Sequence, residues 1–414
     1  MDAVSSVIFY VLTFLAVYVQ IFFLITFLEN RRKIVVRSGQ TKLTQYPGVT
    51  IIVPCWNEEK TVEKTVHSLL DLDYPKDKVT IFLIDDGSTD GTWEAIKKFP
   101  QYPNIKIFQK ENGGKYTALN LGLAHTETDF VGCLDADSFA DKYSLVRIMS
   151  YFEKDPKVMA VAPSIIAHNS KSVIQHAQKA EYHMSVFMKK MFGFIGGIHV
   201  TPGPLTIFRK KVFTDLGPYR HAHNTEDMEI AYRMQKNHYK IDQCNDAFVY
   251  TNTPSTVKKL YRQRLRWIYG FINNTLDYKN LLFRKKYGYF STFTLPAGLV
   301  SIVAVIYLIF RVAYDLAHFV YLKIIEIKTI GFSFELQPFT FDPFFISTES
   351  LGFVFIFIYS WIIISILLGK RMTEGKWGPY TGVFYFLFIF ALIAPFWLLQ
   401  AVYNTIIKRR PAWR

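Results

Sequence analysis

Two short motifs between residues 225 and 267 hold the residue types best suited to chemistry. Thr225-Glu226-Asp227 stands where a helix is predicted to begin, and Gln263-Arg264-Leu265-Arg266-Trp267 lies in a basic, aromatic stretch before a long apolar run. Asp227 is a candidate general base, because a hydroxyl is a poor nucleophile until a positioned carboxylate takes its proton. The same acidic residues also suit a helix start through capping and the helix dipole. The motif alone therefore leaves both roles open.

The second motif predicts that Gln263, Arg266 and Trp267 share one helical face, because residues three and four apart are neighbours on a helix. An Arg side chain can pair with a diphosphate, and a Trp ring can stack on a sugar ring. The composition also fits a helix at the level of lipid headgroups. Both roles are compatible, and we expect Lys258, Lys259 and Arg264 to be the residues that face lipid.

Two further motifs could contact a nucleotide. Asp85 and Asp86 end a predicted strand before a Gly-containing turn, where carboxylates can accept hydrogen bonds from a base or ribose. An ordinary turn that caps the next helix is the alternative. Asn112-Gly113-Gly114-Lys115 brings backbone amides and one cation towards a phosphate, or forms a simple turn before a helix. Its spacing is not that of a P-loop.

Asp135-Ala136-Asp137 ends another predicted strand and is a candidate metal site. In extended backbone, residues i and i+2 point to the same side, so both carboxylates can face one divalent cation. Mg²⁺ or Mn²⁺ prefers such oxygen ligands and would stabilise the charge that builds on a departing diphosphate. A solvated acidic loop is the alternative. His221 and His223 have no third ligand at a suitable spacing, and we interpret them as loop histidines.

An α/β fold is predicted to position these motifs. Apolar, β-branched runs predict strands at 49–54, 78–84, 105–108 and 129–134, and helical spacing predicts a helix at 57–70. Strands that alternate with helices favour a mainly parallel sheet covered on both faces. Ligands in such sheets bind at the carboxyl ends of the strands, where the acidic turns lie.

The composition indicates a membrane protein with a substantial soluble domain. Of 414 residues, 50% are hydrophobic and 17% aromatic. Apolar runs at 4–28, 290–310, 351–369 and 379–407 approach or exceed the roughly 20 residues that a spanning helix needs. The last is overlong and contains Pro395, so it is either one tilted, kinked helix or a re-entrant pair.

The distribution of charge predicts the topology. The formal net charge is +14, and many basic residues flank the apolar runs, which suits anionic lipid headgroups better than nucleic acid. The positive-inside rule then puts residues 30–288 in the cytoplasm. If the last run crosses once, Lys408 to Arg410 end outside, against that rule. The spacing of Cys55, Cys133 and Cys244 suits neither zinc nor disulfides, so we expect reduced, packed thiols.

The order of these motifs resembles that of the processive family 2 glycosyltransferases, which include cellulose, chitin, hyaluronan and bacterial poly-N-acetylglucosamine synthases. The resemblance covers about residues 47–280. It is strongest to the last group, through Thr225-Glu-Asp-Met-Glu-Ile-Ala and Tyr261-Arg-Gln-Arg-Leu-Arg-Trp267. It implies a nucleotide-sugar-binding GT-A fold: a mixed, mainly parallel sheet flanked by helices, with about four transmembrane helices.

Roles follow from the resemblance residue by residue. It implies that Asp227 is the general base, with Glu226 beside it, and that Mg²⁺ or Mn²⁺ binds Asp137 together with Asp135. Trp267 and Gly203 would contact the acceptor. One departure is Thr201-Pro202-Gly203-Pro204, where relatives tend to have a single small turn. The implied contacts of the nucleotide diphosphate are Glu58, Asp85, Asp86, Lys115, Asp135, Gln263 and Arg266.

We predict four parts: a transmembrane anchor (1–29), a cytoplasmic glycosyltransferase domain (30–255), interfacial amphipathic helices with the Gln263–Trp267 motif (256–288) and a C-terminal transmembrane region (289–414). The implied function is inverting polymerisation of a UDP-sugar, UDP-N-acetylglucosamine above all, into a β-linked polysaccharide at the plasma membrane. A hyaluronan-, chitin- or cellulose-type synthase and single-sugar transfer to a lipid are the alternatives. The expected partners are the donor, the growing polysaccharide, the bilayer, and a small membrane subunit or a second copy, with no nucleic acid.

Overall fold

The computed structural model describes residues 3–34, 41–331, 350–378 and 380–411. Within these ranges one sheet contains β1 (Val49–Cys55), β2 (Val79–Asp86), β3 (Ile105–Lys110), β4 (Phe130–Cys133), β5 (Ser138–Ala140), β6 (Val158–His168), β7 (Ile207–Arg209) and β8 (Lys240–Asn252). The helices are α1 (Ala3–Asn30), α2 (Val62–Leu70), α3 (Thr92–Ile96), α4 (Lys115–Ala124), α5 (Ser144–Lys154), α6 (Val173–Phe194), α7 (Lys211–Leu216), α8 (Glu226–Lys236), α9 (Val257–Asp277), α10 (Leu295–Ile330), α11 (Ser350–Glu374) and α12 (Thr381–Ile406).

The sheet is mixed and mainly parallel, as predicted, with strand order β3-β2-β1-β4-β7-β6-β8-β5. β1 pairs in parallel with β2 and β4, whereas β7 and β5 run antiparallel to their neighbours. The central strands are buried on both faces, which explains their continuous apolar composition. One face packs against α2, α3 and α5, and the other against α4, α7 and α8.

The start of α2 differs from the sequence prediction, whereas the end of β2 agrees with it. α2 begins at Val62 instead of Asn57, because Asn57 has a left-handed backbone (φ 56°) that ends β1 in a turn. Asp85 and Asp86 are the last residues of β2 itself. Cys55, Cys133 and Cys244 are free and buried, as expected.

Two amphipathic helices, α6 and α9, lie against this domain. α6 starts with a capping box in which Ser172 and Gln175 bond each other reciprocally. It is tied to the domain where Gln178 donates to the Pro254 carbonyl (2.8 Å) and Lys190 to the Gln243 carbonyl (2.8 Å). At the C-terminal end of α9, Asp277 pairs with His223 at 2.8 Å. Both helices therefore form a layer on the domain.

Among the described residues, four helices are long and apolar enough to cross a membrane: α1, α10, α11 and α12. α10 continues to Ile330, twenty residues beyond the apolar run that predicted it, and a wider π-type turn at Phe290–Thr294 precedes it. α11 continues to Glu374, five residues beyond the apolar run that predicted it. α12 is one continuous helix through Pro395, so the re-entrant pair is not formed. The Phe- and Pro-rich segment at 332–349 lies outside the described residues.

Tight contacts join α11 to α6. Lys179 pairs with Glu374 at 2.8 Å, and the hydroxyl of Thr373 lies 3.0 Å from Nδ1 of His183. At Gly369 a Cβ would lie 1.8 Å from the His183 carbonyl oxygen. The two backbones can approach this closely only because residue 369 is glycine.

Candidate active site

A cavity of about 1300 Å³ lies at the carboxyl ends of β1, β2 and β4, and α6 and α9 cover it. Parallel strands bring their carboxyl ends to one edge, so turns that are distant in sequence meet there. The cavity collects every predicted site residue except Asp85: Glu58, Asp86, Lys115, Asp135, Asp137, Gly203, Glu226, Asp227, Gln263, Arg266 and Trp267.

The two adjacent carboxylates at the end of β2 have different surroundings. Asp85 is fully buried and accepts hydrogen bonds from the Ser88 amide (3.2 Å) and the Gln109 side chain (3.2 Å). Asp86 lines the cavity and accepts from the amides of Gly113 (3.1 Å) and Gly114 (2.9 Å). Asp85 thus stabilises the turn, and Asp86 is the one of the pair that faces the cavity.

Lys115 lies between two carboxylates. Its Nζ is 2.6 Å from Asp135 Oδ1 and 3.3 Å from Glu226 Oε1. Burial lowers the pKa of Lys115, but the two carboxylates outweigh it and leave the pKa well above its usual value. A Cβ at Gly203 would lie 2.7 Å from Lys115 Nζ and 3.0 Å from Asp135, so a side chain there would push this pair apart. Glycine at 203 is what allows the ion pair to form.

Asp135 and Asp137 lie in a turn between β4 and β5, and not in extended backbone as predicted. Both nevertheless line the cavity, and Ser138 Oγ lies 3.2 Å from Asp137 Oδ1. Burial, then the charges of Asp135 and Glu58, raise the pKa of Asp137 to about 6. Neighbouring carboxylates that carry such an excess of negative charge provide oxygen ligands that suit a divalent cation. Across the described ranges, no three His, Cys, Asp or Glu side chains meet as a complete metal site, so substrate oxygens would have to supply further ligands.

Asp227 is in the first turn of α8, as the sequence predicted, and its backbone carbonyl accepts from the Thr201 hydroxyl at 2.8 Å. Burial, then the neighbouring Glu226, raise the pKa of its carboxyl to about 6. Such a carboxyl is a stronger base than an ordinary aspartate and is still ionised at neutral pH.

α6 contributes cavity residues that sequence reasoning missed. Burial lowers the pKa of Lys189 to about 8, while the charge of Asp227 acts to raise it. Beside it, burial and then the Lys189 charge lower the pKa of His199 to about 4, so this imidazole is neutral. Both line the cavity. In the sequence, Lys189 is simply a lysine within an amphipathic helix. That pattern does not distinguish a lysine that lines a cavity from one at the surface.

α9 holds the turn that precedes Asp227. Arg266 donates to the Asn224 carbonyl at 2.9 Å, and Asn274 donates to the Thr225 hydroxyl at 2.8 Å. In that turn Ala222, His223 and Asn224 all have left-handed backbones, with φ of 42°, 57° and 62°. His221 lines the cavity and packs edge-on against Tyr116.

The expectation that Arg264 faces lipid is wrong. It is 4% exposed, pairs with Glu181 of α6, and places its guanidinium carbon 4.1 Å from the Trp267 ring centroid. The pairing with α6 turns Arg264 towards the protein, although its helical position suggested the opposite. One face of the Trp267 ring is therefore covered by a cation, and the residue lines the cavity.

Comparisons with known proteins agree with this architecture. Residues 50–217 match the family model described as Glycosyl transferase family 2. The chain is 32% identical over 228 residues to the poly-beta-1,6-N-acetyl-D-glucosamine synthase of Staphylococcus epidermidis, a match covering 55% of each chain. It is 30% identical over 236 residues to the enzyme of that name from Staphylococcus aureus strain COL, covering 56% of this chain and 57% of the relative. The chain thus matches just over half the length of these curated relatives.

A solved structure shares the fold. The mannosyltransferase PcManGT from Pyrobaculum calidifontis, in complex with GDP-Man and Mn²⁺, aligns with a TM-score of 0.53 at 17% identity. The alignment covers 88% of this chain and 100% of that one. The family match, the mixed sheet and the cavity at the carboxyl ends of its strands lead to one conclusion. The chain has the GT-A fold, and its residues 50–217 resemble the glycosyl transferase family 2 domain.

Proposed function

We propose that the protein is a membrane-bound, inverting, processive glycosyltransferase that polymerises a UDP-sugar, UDP-N-acetylglucosamine above all, into a β-linked polysaccharide. The observation that carries the proposal is the extent of the cavity. It begins at Asp86 and Lys115, passes Asp227, and continues between α9, α10 and α12 to Ile302, Val305 and Leu398. An acceptor that lengthens at Asp227 therefore has space to extend towards the helices long enough to cross a membrane.

The nucleotide and diphosphate of the donor would bind at the edge formed by β1, β2 and β4. Glu58 and Asp86 lie nearest the nucleoside end, and Lys115, Gln263 and Arg266 supply donors to the diphosphate. Asp135 and Asp137 would hold Mg²⁺ or Mn²⁺, which supplies positive charge where the diphosphate leaves. Glu226 holds Lys115 at this edge through its 3.3 Å ion pair.

The acceptor would bind on the opposite side of the cavity. Asp227 takes the proton of the attacking hydroxyl, because it is a buried carboxylate with a raised pKa and is not one of the two carboxylates that pair directly with Lys115. Trp267 offers the ring face that Arg264 leaves free for stacking on a sugar. Gly203, between Lys115 and Asp135, leaves room for the acceptor end near the donor.

One observation favours a second function. The far part of the cavity is apolar at Ile302, Val305 and Leu398, which also suits the hydrocarbon chain of a lipid acceptor that receives a single sugar. Hyaluronan-, chitin- and cellulose-type synthesis would use the same catalytic groups with another donor. The length of the product distinguishes these functions. A synthase makes a polymer, whereas single-sugar transfer to a lipid gives one short lipid-linked product.

The experiment incubates purified protein in nanodiscs with a panel of radiolabelled UDP-sugars and Mg²⁺ or Mn²⁺, and measures which label is incorporated and the product length. UDP-N-acetylglucosamine should give long products. Asp227→Asn should lower the rate of transfer by roughly 10²–10⁴-fold, as for loss of a general base, and still bind UDP. Asp77→Asn, at an exposed surface position, is the matched control. Normal turnover by Asp227→Asn would refute the assignment of the base.

For the whole protein we propose a plasma-membrane location, with the catalytic domain in the cytoplasm where nucleotide sugars are made. Four or fewer crossing helices are few for a polymer-conducting pore, so a small membrane subunit or a second copy would complete the conduit. Export of long polymer by purified monomer reconstituted alone in liposomes would contradict that assembly.

A further inference from the structure

α12 is apolar and 26 residues long, and its first end contacts the helix layer on the catalytic domain. The hydroxyl of Tyr380, which immediately precedes α12, donates to the His176 carbonyl at 3.0 Å. His176 is in the first turn of α6, only a few residues after β6 leaves the sheet. The first end of α12 therefore lies at the domain.

The other end of α12 contacts the domain as well. Asn273 of α9 donates to the Thr405 hydroxyl at 3.0 Å, and Tyr261 donates to the Phe396 carbonyl at 3.4 Å. Beyond the helix, Arg410 is close enough to act on His221: burial, then the Arg410 charge, lower the pKa of that histidine. His221 lines the catalytic cavity.

These contacts conflict with a crossing helix. A helix of 26 residues is about 39 Å long, and the hydrocarbon core of a bilayer is about 30 Å thick. If α12 crossed, one of its ends would be separated from the domain by the whole bilayer core. Two ends that both touch the domain require that the helix run along it.

We propose that α12 does not cross the membrane but lies along the membrane-facing side of the catalytic domain, embedded in the cytoplasmic leaflet, with the bilayer as its partner. Its inner face packs through Trp397 and Leu398 against Leu260 of α9 and Ile302 of α10. Its outer face is an exposed apolar stripe, the α12 stripe, made of Phe384, Phe388, Leu392, Phe396 and Tyr403.

The residues after α12 favour a lipid surface. Lys408, Arg409 and Arg410 are exposed at its end, where basic side chains attract anionic headgroups. With α12 in the cytoplasmic leaflet, the crossing helices among the described residues are α1, α10 and α11. The basic residues then stay on the cytoplasmic side, and the conflict with the positive-inside rule disappears.

Accessibility to a membrane-impermeant maleimide tests the proposal in right-side-out and inverted vesicles. Arg409→Cys is the test variant, Lys78→Cys reports the side of the catalytic domain, and Glu326→Cys reports the far end of α10. The unsubstituted chain is the blank, since Cys55, Cys133 and Cys244 are buried. Arg409→Cys should react in the same vesicles as Lys78→Cys. Reaction in the same vesicles as Glu326→Cys would overturn the proposal.

Spin labels on the α12 stripe give a second test that does not depend on the end of the helix. Phe384→Cys and Leu392→Cys are eight residues apart, or about 12 Å along the axis. Nitroxides at the two positions should lie at nearly the same depth when measured by oxygen and nickel-chelate relaxation. A label at Leu392→Cys that lies about 12 Å deeper than one at Phe384→Cys would show a crossing helix.

Discussion

At the scale of single residues, the fold places each carboxylate of the cavity in a different environment. Asp86 accepts from two backbone amides, Asp135 and Glu226 share Lys115, and Asp227 is buried without direct pairing to that lysine. Hydrogen bonds and nearby cations stabilise the ionised form of a carboxyl, whereas burial and like charges destabilise it. Burial and the charge of Glu226 raise the pKa of Asp227 to about 6, which suits it to take a proton near neutral pH.

The raised pKa of Asp227 predicts that the pH profile of the reaction rate falls on its acidic side, which is called the acid limb. Only the ionised carboxylate can accept the proton, so kcat/KM should fall as the pH drops through about 6 and lose about tenfold per further unit. Glu226→Gln removes a charge that raises this pKa, so it should move the limb to lower pH. The pKa of Asp137 is also raised to about 6, but by burial and then by the charges of Asp135 and Glu58. A limb that does not move in Glu226→Gln would mean that Asp227 is not the group observed.

The contact between Arg264 and Trp267 predicts that a substitution of Arg264 weakens binding of the acceptor but not binding of the donor. Arg264→Lys keeps a cation for Glu181 but removes the planar guanidinium that lies over the indole. A buried cation–π contact contributes about 1–2 kcal/mol, so acceptor KM should rise roughly 5- to 30-fold while UDP affinity stays unchanged. The measurement is elongation of a defined oligosaccharide alongside UDP binding. An equal loss of acceptor affinity and of UDP affinity would show that Arg264 acts on the fold as a whole.

Sequence patterns identified some site residues and missed others for a physical reason. Asp227, Gln263 and Trp267 could be found because their local spacing and their order along the chain carry the signal. Sequence patterns could not identify Glu181, Lys189 and His199. Their place in the cavity depends on how α6, and the segment that follows it, pack over the sheet. Arg264 was misassigned because a helical face does not reveal which neighbour covers it.

At the scale of elements, the α6–α11 contact joins a helix of the cavity wall to a helix that is long and apolar enough to cross a membrane. α6 holds Glu181 and Lys189 in the cavity wall, and it also contacts α11 at Gly369 and Thr373. The alternation of strands and helices was enough to predict the sheet. The exact ends of elements, and the route of α12, depend on tertiary contacts that no local pattern encodes.

Gly369→Leu tests that contact. Even a Cβ at this position would lie 1.8 Å from a backbone oxygen, so α11 must shift away from α6. Overpacking of this kind costs about 1–3 kcal/mol, and thermal unfolding in detergent should begin at a lower temperature, with reduced transfer activity. Gly193→Ala, where a Cβ meets only ordinary contacts from 3.6 Å, is the control on α6 itself. Equal thermal stability of the two variants would contradict the tight contact.

At the scale of the whole molecule, one cavity joins the donor edge of the sheet to the apolar helices. Its lining changes from carboxylates and cations at Asp137 and Lys115 to aliphatic side chains at Ile302 and Val305. In the proposed function, the site of sugar transfer and the route of the acceptor are therefore parts of one continuous cavity. The sequence shows both regions but not that they meet, because the join depends on how α9, α10 and α12 pack.

Ile302→Trp should shorten the product. The added ring would narrow the cavity between α10 and α12, far from the donor groups, so donor hydrolysis and UDP binding should stay within about twofold while product length falls. Val303→Trp places the same ring on the exposed side of the same helix, where 56% of the residue is accessible. Product length by gel filtration compares the two. Full-length product from Ile302→Trp would exclude this route for the acceptor.

The left-handed turn at Ala222, His223 and Asn224 has a consequence for how binding at one end of the cavity is communicated to the other. Three successive non-glycine residues in this conformation store conformational energy, and α9 holds them there through Arg266. The turn leads directly into Asp227. Coupling between sites is reciprocal, so a ligand that changes the affinity at Asp227 by displacing α9 is itself affected to the same extent by binding at Asp227. The strained turn is thus the direct structural link between the proposed base, Asp227, and the helix that carries Trp267.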